Sequence, residues 1–370
     1  MEKWGPAKTE GKAENTSVSL EIHMNRGDVK MRRLDFNFAN FTNIQSAGKP
    51  EIKGSKKSNL SVEWEVLTQS NSALPWDMTR SVTVDWENNV WITTDNGLCK
   101  ITANRIQVFN AKNSPIEEKF GKSFTSNISL DSNGNIWFAN SYQIIKYDQK
   151  HWSVFDTLNS PMEFLSRGTI SDRTGSVFFK THKGLRMYDG ENWHTFQEYG
   201  SDLLSKRISG VFRDSQNHLW IGTYEGNLRI ESDSITYFYK DEGPLAYGFM
   251  TKMVEDAAGN LWFSVYSERE EECGMWKLDQ EGNYTLIHPN DMDVYPSNSI
   301  NDFLLDEENE DLWIAVHKVG LVKHELDTGK WEVYTTQNSN IPSTIVSGIA
   351  KDQNGVLWLS TFAGVAIMKK

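Results

Sequence analysis

One segment recurs seven times along this 370-residue chain at intervals of 41 to 50 residues, every copy turns at a Gly or Asn, and every copy then opens a strand on a large aromatic residue. These three observations predict an all-β fold, a seven-bladed β-propeller, because a repeat of that length holds the four strands of one blade. Composition agrees. Aromatic residues make up 12% of the chain, and 26 Gly stand against only 9 Pro, as many strands joined by tight turns require.

Residues 1–62 lack the repeat. "SVSLEIHM" (17–24) and "VKMRRLDFNF" (29–38) alternate apolar and polar residues around "NRGD" (25–28), and the polar stretch "QSAGKPEIKGSKKSN" follows, so a small N-terminal β appendage, a hairpin with a linker, is expected there. The "RGD" reads as ordinary turn chemistry. The propeller is expected over residues 63–370.

Its seven copies are "VDWENNVWITTDNGL" (84–98), "LDSNGNIWFANSY" (130–142), "SDRTGSVFFKTHKGL" (171–185), "RDSQNHLWIGTYEGNL" (213–228), "EDAAGNLWFSVY" (255–266), "LDEENEDLWIAVHKVGL" (305–321) and "KDQNGVLWLSTFAGV" (351–365). An Asp anchors each one: Asp85, Asp131, Asp172, Asp214, Asp256, Asp306 and Asp352. A carboxylate there can accept the amides of the turn ahead of it. Three residues later stand Asn88, Gly134, Gly175, Asn217, Gly259, Asn309 and Gly355, the residue types that enter a left-handed conformation most cheaply, so φ > 0 is expected at each. The aromatic residues Trp91, Trp137, Phe178, Trp220, Trp262, Trp313 and Trp358 would wedge between neighbouring blades. A short apolar strand precedes each Asp, a second begins at the aromatic, a third is often opened by Gly, and a fourth alternates, as in "RIQVFN" (105–110).

The last copy ends on its third strand, "VAIMKK". Its missing outer strand is written at the other end of the repeat region: "WEVLTQSNSALP" (64–75) shares seven of twelve residues with "WEVYTTQNSNIP" (331–342), the outer strand of the sixth copy and the lead into the seventh. A strand from the start of the chain is therefore expected to complete the final blade and close the ring.

The units resemble the two-component regulator propeller repeat, whose pattern runs as an NS-x-LP lead, an inner strand, then D-x-x-G-N-L-W-I-G-T-x-x-G-L. "DSQNHLWIGTYEGNL", "DQNGVLWLSTFAGV", "NSALP" (71–75) and "NSNIP" (338–342) carry the likeness. That resemblance implies a sensor module of the kind that forms the periplasmic half of hybrid histidine-kinase receptors and reports on oligosaccharides, and a periplasmic or extracellular location. The N-terminus shows no apolar core of a secretion signal, and neither a kinase nor a DNA-binding domain appears. Streptogramin lyase is a rival resemblance, through the D-x-x-G-x-I-W-F rhythm of "DSNGNIWF" (131–138).

In a propeller the loops entering the innermost strands and those joining the second and third strands share one face, here termed the loop face; the Asp turns lie on the opposite, turn face. Ligands are expected on the loop face. Five residues before each Asp stand Arg80, Ser126, Arg167, Ser209, Thr251, Asn301 and Ser347, all polar, and four after each aromatic stand Asp95, Ser141, His182, Tyr224, Tyr266, His317 and Phe362, with Tyr142 beside Ser141. From these, Arg80, Asp95, Tyr142, Arg167, His182, Tyr224, Tyr266, Asn301, His317 and Phe362 form the candidate ligand-binding set. Rings stack on sugar faces and guanidinium groups hold carboxylates or sulfates, so an oligosaccharide or another small polar ligand fits. The same residues also admit a structural role, the rings packing against neighbouring blades and the Ser and Asn side chains satisfying strand ends.

His182 and His317 fall three of seven steps apart around the ring and could not share one metal ion. No metal, cofactor or catalytic group is expected, although a lyase or a protein-docking scaffold stays open as an alternative. The acidic insertion "SEREEECG" (267–274) in the fifth copy lies on the loop face and reads as a solvated charge run. Thirty-eight basic residues against 50 acidic ones, a net charge of −12, and basic residues scattered along the chain argue against a nucleic-acid partner, and no apolar run is long enough for a membrane span. Cys99 and Cys273 stand in neither CxxC nor zinc spacing.

Overall fold

A computed structural model of the chain describes residues 20–21, 45–46, 62–103, 105–116, 128–139, 143–156, 160, 169–172, 174–181, 184–196, 207–231, 234–238, 249–266, 274–287 and 300–369. Seven sheets, each with four main antiparallel strands, follow one another along the sequence as the blades of a seven-bladed β-propeller. Their innermost strands are Thr79–Val84, Ser129–Leu130, Thr169–Ser171, Ile208–Arg213, Phe249–Glu255, Ile300–Asp306 and Val346–Lys351. The second strands are Val90–Thr94, Ile136–Ala139, Val177–Thr181, Leu219–Thr223, Leu261–Tyr266, Asp311–Val316 and Leu357–Thr361. Among the described residues no helix is long and apolar enough to cross a membrane.

The seventh blade takes its outermost strand from Glu63–Leu67, which pairs antiparallel with Gly364–Lys369 from Glu63↔Lys369 to Leu67↔Val365. This is the expected closure, and a glycine testifies that the borrowed strand is a true equivalent of the others. Gly97, Gly320 and Gly364 open third strands at φ between 122° and 133°, and at each a Cβ would run into a carbonyl of the neighbouring outer strand: Phe109, Tyr334 and Leu67, respectively. The turn that follows repeats as well. Asn71, Asn113 and Asn338 each donate from Nδ2 to the carbonyl five residues back, at 2.8 Å, while their Oδ1 accepts an amide three residues back. The third member, "NSPI" (113–116), departs from the NS-x-LP lead in sequence but folds alike.

Two short segments of the N-terminal region add a fifth strand to a blade. Leu20–Glu21 pairs antiparallel with Ser234–Phe238, and Gln45–Ser46 pairs parallel with Tyr284–Ile287. The rest of the expected hairpin, including the "RGD", lies outside the described residues.

Six of the seven Asp side chains close their turns as the sequence predicts. Asp131 Oδ1 accepts the amides of Asn133 and Asn135 at 3.0 and 2.9 Å, and Asp85, Asp172, Asp214, Asp256 and Asp352 repeat the arrangement. Left-handed φ falls at Asn88, Gly134, Gly175, Asn217, Gly259 and Gly355. The sixth copy differs: φ is positive at Glu310, not Asn309, because this turn holds one more residue between Asp306 and Trp313 and the reversal comes one position later.

The second carboxylate oxygen does something the sequence left unread. In five blades it accepts the indole N–H of the aromatic six residues on, at 2.7–3.0 Å: Trp91 to Asp85, Trp137 to Asp131, Trp220 to Asp214, Trp262 to Asp256 and Trp358 to Asp352. A buried indole thus keeps its donor satisfied while its rings fill the space between blades. In the third blade Phe178 has no N–H, and Arg213 Nε of the next blade occupies Asp172 Oδ2 at 2.6 Å. Opposite the ring on the third strand stands a cation in five blades, Lys100, Lys146, Arg229, Lys277 and Lys323, each 5.1–5.9 Å from the indole centroid.

The apolar core follows from these wedges. Seven buried clusters each join an aromatic wedge to the blade after it: Trp91 to Ile136 and Phe138, Trp137 to Val177 and Phe179, Phe178 to Ile221, Trp220 to Phe263, Trp262 to Ile314, Trp313 to Leu359, and Trp358 to Ile92. Cohesion therefore runs around the ring from seam to seam. The last seam, between the seventh blade and the first, is also stitched by Thr79 Oγ1, which donates to the Thr361 carbonyl at 2.8 Å and accepts the Thr361 amide at 2.7 Å.

Candidate functional site

Five of the polar residues expected before the Asp turns, Arg80, Ser209, Thr251, Asn301 and Ser347, sit on a shared backbone irregularity. Pairing between innermost and second strands slips by one residue between Thr79 and Ser81, Ile208 and Gly210, Met250 and Met253, Ile300 and Asp302, and Val346 and Gly348. Arg80, Ser209, Asn301 and Ser347 are the extra residues, and Thr251 with Lys252 spans the fifth. A bulge re-aims its side chain out of the alternation of the strand.

Most of these side chains are used to join blades. Ser209 Oγ donates to the Met250 carbonyl at 2.6 Å, Asn301 Nδ2 to the Val346 carbonyl at 2.7 Å, and Ser347 Oγ to the Thr79 carbonyl at 2.9 Å. Arg80 instead turns to Asp95 through two bonds, Nε to Oδ1 at 2.8 Å and Nη2 to Oδ2 at 3.1 Å, and its guanidinium lies 5.2 Å from the centroid of Phe362. Three of the expected residues thus meet at the seam where the ring closes.

Tyr224 and Tyr266 are each 45% exposed on the loop face. The guanidinium of Arg207, just before the innermost strand of the fourth blade, lies 4.3 Å from the Tyr224 ring centroid. His317 stands in the corresponding loop of the sixth blade, where burial first and the neighbouring Lys318 second lower its pKa below the usual histidine value. Tyr142, Arg167 and His182 lie outside the described residues. Arg207 and Trp76, the latter 46% exposed in the loop leading to the first blade, are not in the expected set, since both fall outside the two register positions of the repeat that define it.

The central channel holds a cavity of about 810 Å³ lined by the innermost strands of the third to sixth blades, among them Ser171, Val211, Lys252 and Phe303, and reaching Ser215 and Glu307 in the Asp turns. Lys252 Nζ pairs with Asp302 Oδ1 at 2.8 Å, and Asp302 Oδ2 accepts the Ile349 amide at 3.0 Å, so charged groups tie the fifth, sixth and seventh blades together across the channel wall. Glu255 accepts both the amide and the hydroxyl of Ser215, and Arg213 pairs with Asp172.

Fold and site define a seven-bladed β-propeller with an aromatic and cationic loop face. Residues 202–225 and 340–363 match the two-component regulator propeller family, and the chain carries that family's repeats. Among solved structures the chain is similar to the extracellular domain of a hybrid two-component system from B. thetaiotaomicron, with 21% identity and a TM-score of 0.65 over 82% of this chain and 40% of that one. A second extracellular domain from the same organism aligns with 17% identity and a TM-score of 0.63, over 82% of this chain and 39% of that one. The chain thus spans about two fifths of those domains. Virginiamycin B lyase from Staphylococcus aureus aligns with 16% identity and a TM-score of 0.60 over 84% of this chain and 100% of the lyase. At these identities the likeness shows the fold. No curated protein matches the sequence.

Proposed function

We propose that this propeller is a non-catalytic recognition module of the sensor type that holds a small polar ligand, an oligosaccharide or an anionic organic molecule, on its loop face. One observation carries the reading: three of the four large apolar side chains that stand exposed among the described residues, Trp76, Tyr224 and Tyr266, belong to that face, with Arg207 against one of them. Exposed rings beside guanidinium groups have little structural use, whereas a sugar ring or a carboxylate meets both. The family of the repeats and the likeness to extracellular sensor domains support it, and with them a periplasmic or extracellular setting.

A thermal-shift screen of oligosaccharides and small organic acids tests the proposal. A ligand should raise the melting temperature of the wild type, and Tyr224→Ala with Arg207→Ala should remove the rise. Stabilisation of wild type and variant to the same extent, or by no compound, rejects it. A second reading, a carbon–oxygen lyase, draws on the alignment with virginiamycin B lyase along that enzyme's whole length. Turnover of a streptogramin that depends on a divalent metal would establish it in place of the first.

A further inference from the structure

The repeat has one register position where six copies agree and one departs. Two residues after the aromatic wedge stand Thr93, Ala139, Gly222, Ser264, Ala315 and Ser360, all small. The reason is steric, since this position faces the innermost strand of a neighbouring blade: a Cβ on Gly222 would run into the Met250 carbonyl. In the third copy the residue is Lys180. A long cation in a slot that elsewhere takes nothing larger than threonine breaks the local rule of the fold, and such breaks concentrate where function demands them.

The surroundings of Lys180 sharpen the point. Its ammonium donates to the Ser209 carbonyl, at the bulge of the fourth blade, at 3.2 Å. Burial first, then the positive charges of Lys252 and Arg207, pull its pKa down to about 8. Lys252 is balanced by Asp302, and Asp172 by Arg213. Among the described residues no carboxylate pairs with Lys180 or Arg207. Among those residues a protein of net charge −12 thus gathers two cations with no carboxylate partner and a third, paired one at the loop-face end of its channel. Desolvated like charges repel, and an anion is the partner that turns this repulsion into binding.

We infer that Lys180 and Arg207, with Lys252 at their edge, form a site for an anionic group of the ligand, a carboxylate or a sulfate, so that the substance recognised on the loop face is acidic. The inference rests on the recognition reading above and narrows it. Tyr224 would place a ring of the ligand beside the anionic contact, because Arg207 lies over its face.

The test uses inorganic sulfate, galacturonate oligomers and neutral galactose oligomers of equal length, at constant ionic strength, on the whole protein. Calorimetric titration and melting temperature are read for wild type, Lys180→Ser, Lys180→Arg and Arg207→Gln. Serine already fills this slot in two other copies, so the first variant is expected to fold. Sulfate or the acidic oligomer should bind wild type and Lys180→Arg, and Lys180→Ser and Arg207→Gln should each lose about tenfold in affinity or more. Above pH 8, where the free Lys180 amine is neutral, wild-type affinity should fall while that of Lys180→Arg persists. Binding of the anions by wild type and Lys180→Ser alike, or by neither, overturns the inference. Neutral oligomers bound as tightly as acidic ones overturn it and leave the recognition reading standing. Sulfate bound through Lys180 with no oligomer bound upholds the anion site and removes the oligosaccharide from the reading.

Discussion

In five of the seven blades a single carboxylate serves as the organiser of a turn and as the acceptor of an indole N–H. In the second blade, Asp131 accepts two amides and the Trp137 N–H while itself buried. Asp131→Ala should therefore cost roughly 2–4 kcal/mol in urea denaturation, more than an exposed turn residue would, because four donors, these three and Asn135 Nδ2, lose their acceptor. The turn half of this role is readable from sequence, since an Asp three residues before Gly or Asn has a local meaning. The indole half is not, because the six-residue spacing becomes a contact only once the hairpin folds back. His324 offers a second test at this scale. Stacked on Trp331 at 3.9 Å between ring centroids and buried, it has a pKa lowered from 6.5 to about 4 by desolvation, with Lys277 adding to the effect and Asp311, Glu325 and the Lys330 carbonyl opposing it. The unfolded chain then binds this proton more readily than the folded one, so stability falls as the pH drops from 6.5 toward 4, by roughly 3 kcal/mol from this residue. His324→Phe should keep the stack and flatten that acid limb in denaturation curves taken across the interval.

At the level of strands and turns, most of the architecture is legible because hydrogen-bond geometry imposes residue types: Gly or Asn where φ is positive, an aromatic where a seam must be filled, an Asn-Ser lead where a strand ends. Bulges leave no such mark. Any residue can be the extra one, and Arg80, Ser209, Asn301 and Ser347 share only polarity, so the register slips emerged only with the structure. The sixth-blade turn shows the same limit, since one inserted residue moved the left-handed position onto Glu310, a type that sequence patterns do not flag. The closing strand is the element whose loss should matter most. Deleting residues 63–67 bares the edge of Gly364–Lys369 and takes Trp64 out of the cluster around Trp313, and the melting temperature should drop by roughly 10 °C or more in calorimetry.

For the whole molecule, a repeat pattern assigns residues to a face more readily than it assigns each one a role. It placed polar residues around the channel mouth but could not tell which were already committed to neighbouring blades. Asn301 holds the Val346 carbonyl and Arg80 holds Asp95, while the rings of Tyr224 and Tyr266 are each 45% exposed. Asn301→Ala should accordingly lower the melting temperature with little change in ligand affinity, whereas Tyr224→Ala should weaken binding at unchanged stability; the opposite pattern would exchange their roles. Lys180 escaped notice because a lysine in a repeat is unremarkable until the six small residues in its register are seen to face backbone.

The latch that completes the circle has a mechanical side. Glu63 and Lys369 form the outermost rung of their ladder, the first residue of one strand beside the last described residue of the other. A force drawing the flanking chain away from both residues would load that rung first and then the next, peeling the pair like a zip fastener rather than sliding one strand along the other. Tension applied there would part the ring at its seam, one hydrogen-bonded step at a time, while the four main strands of each other blade, continuous in sequence, stayed together.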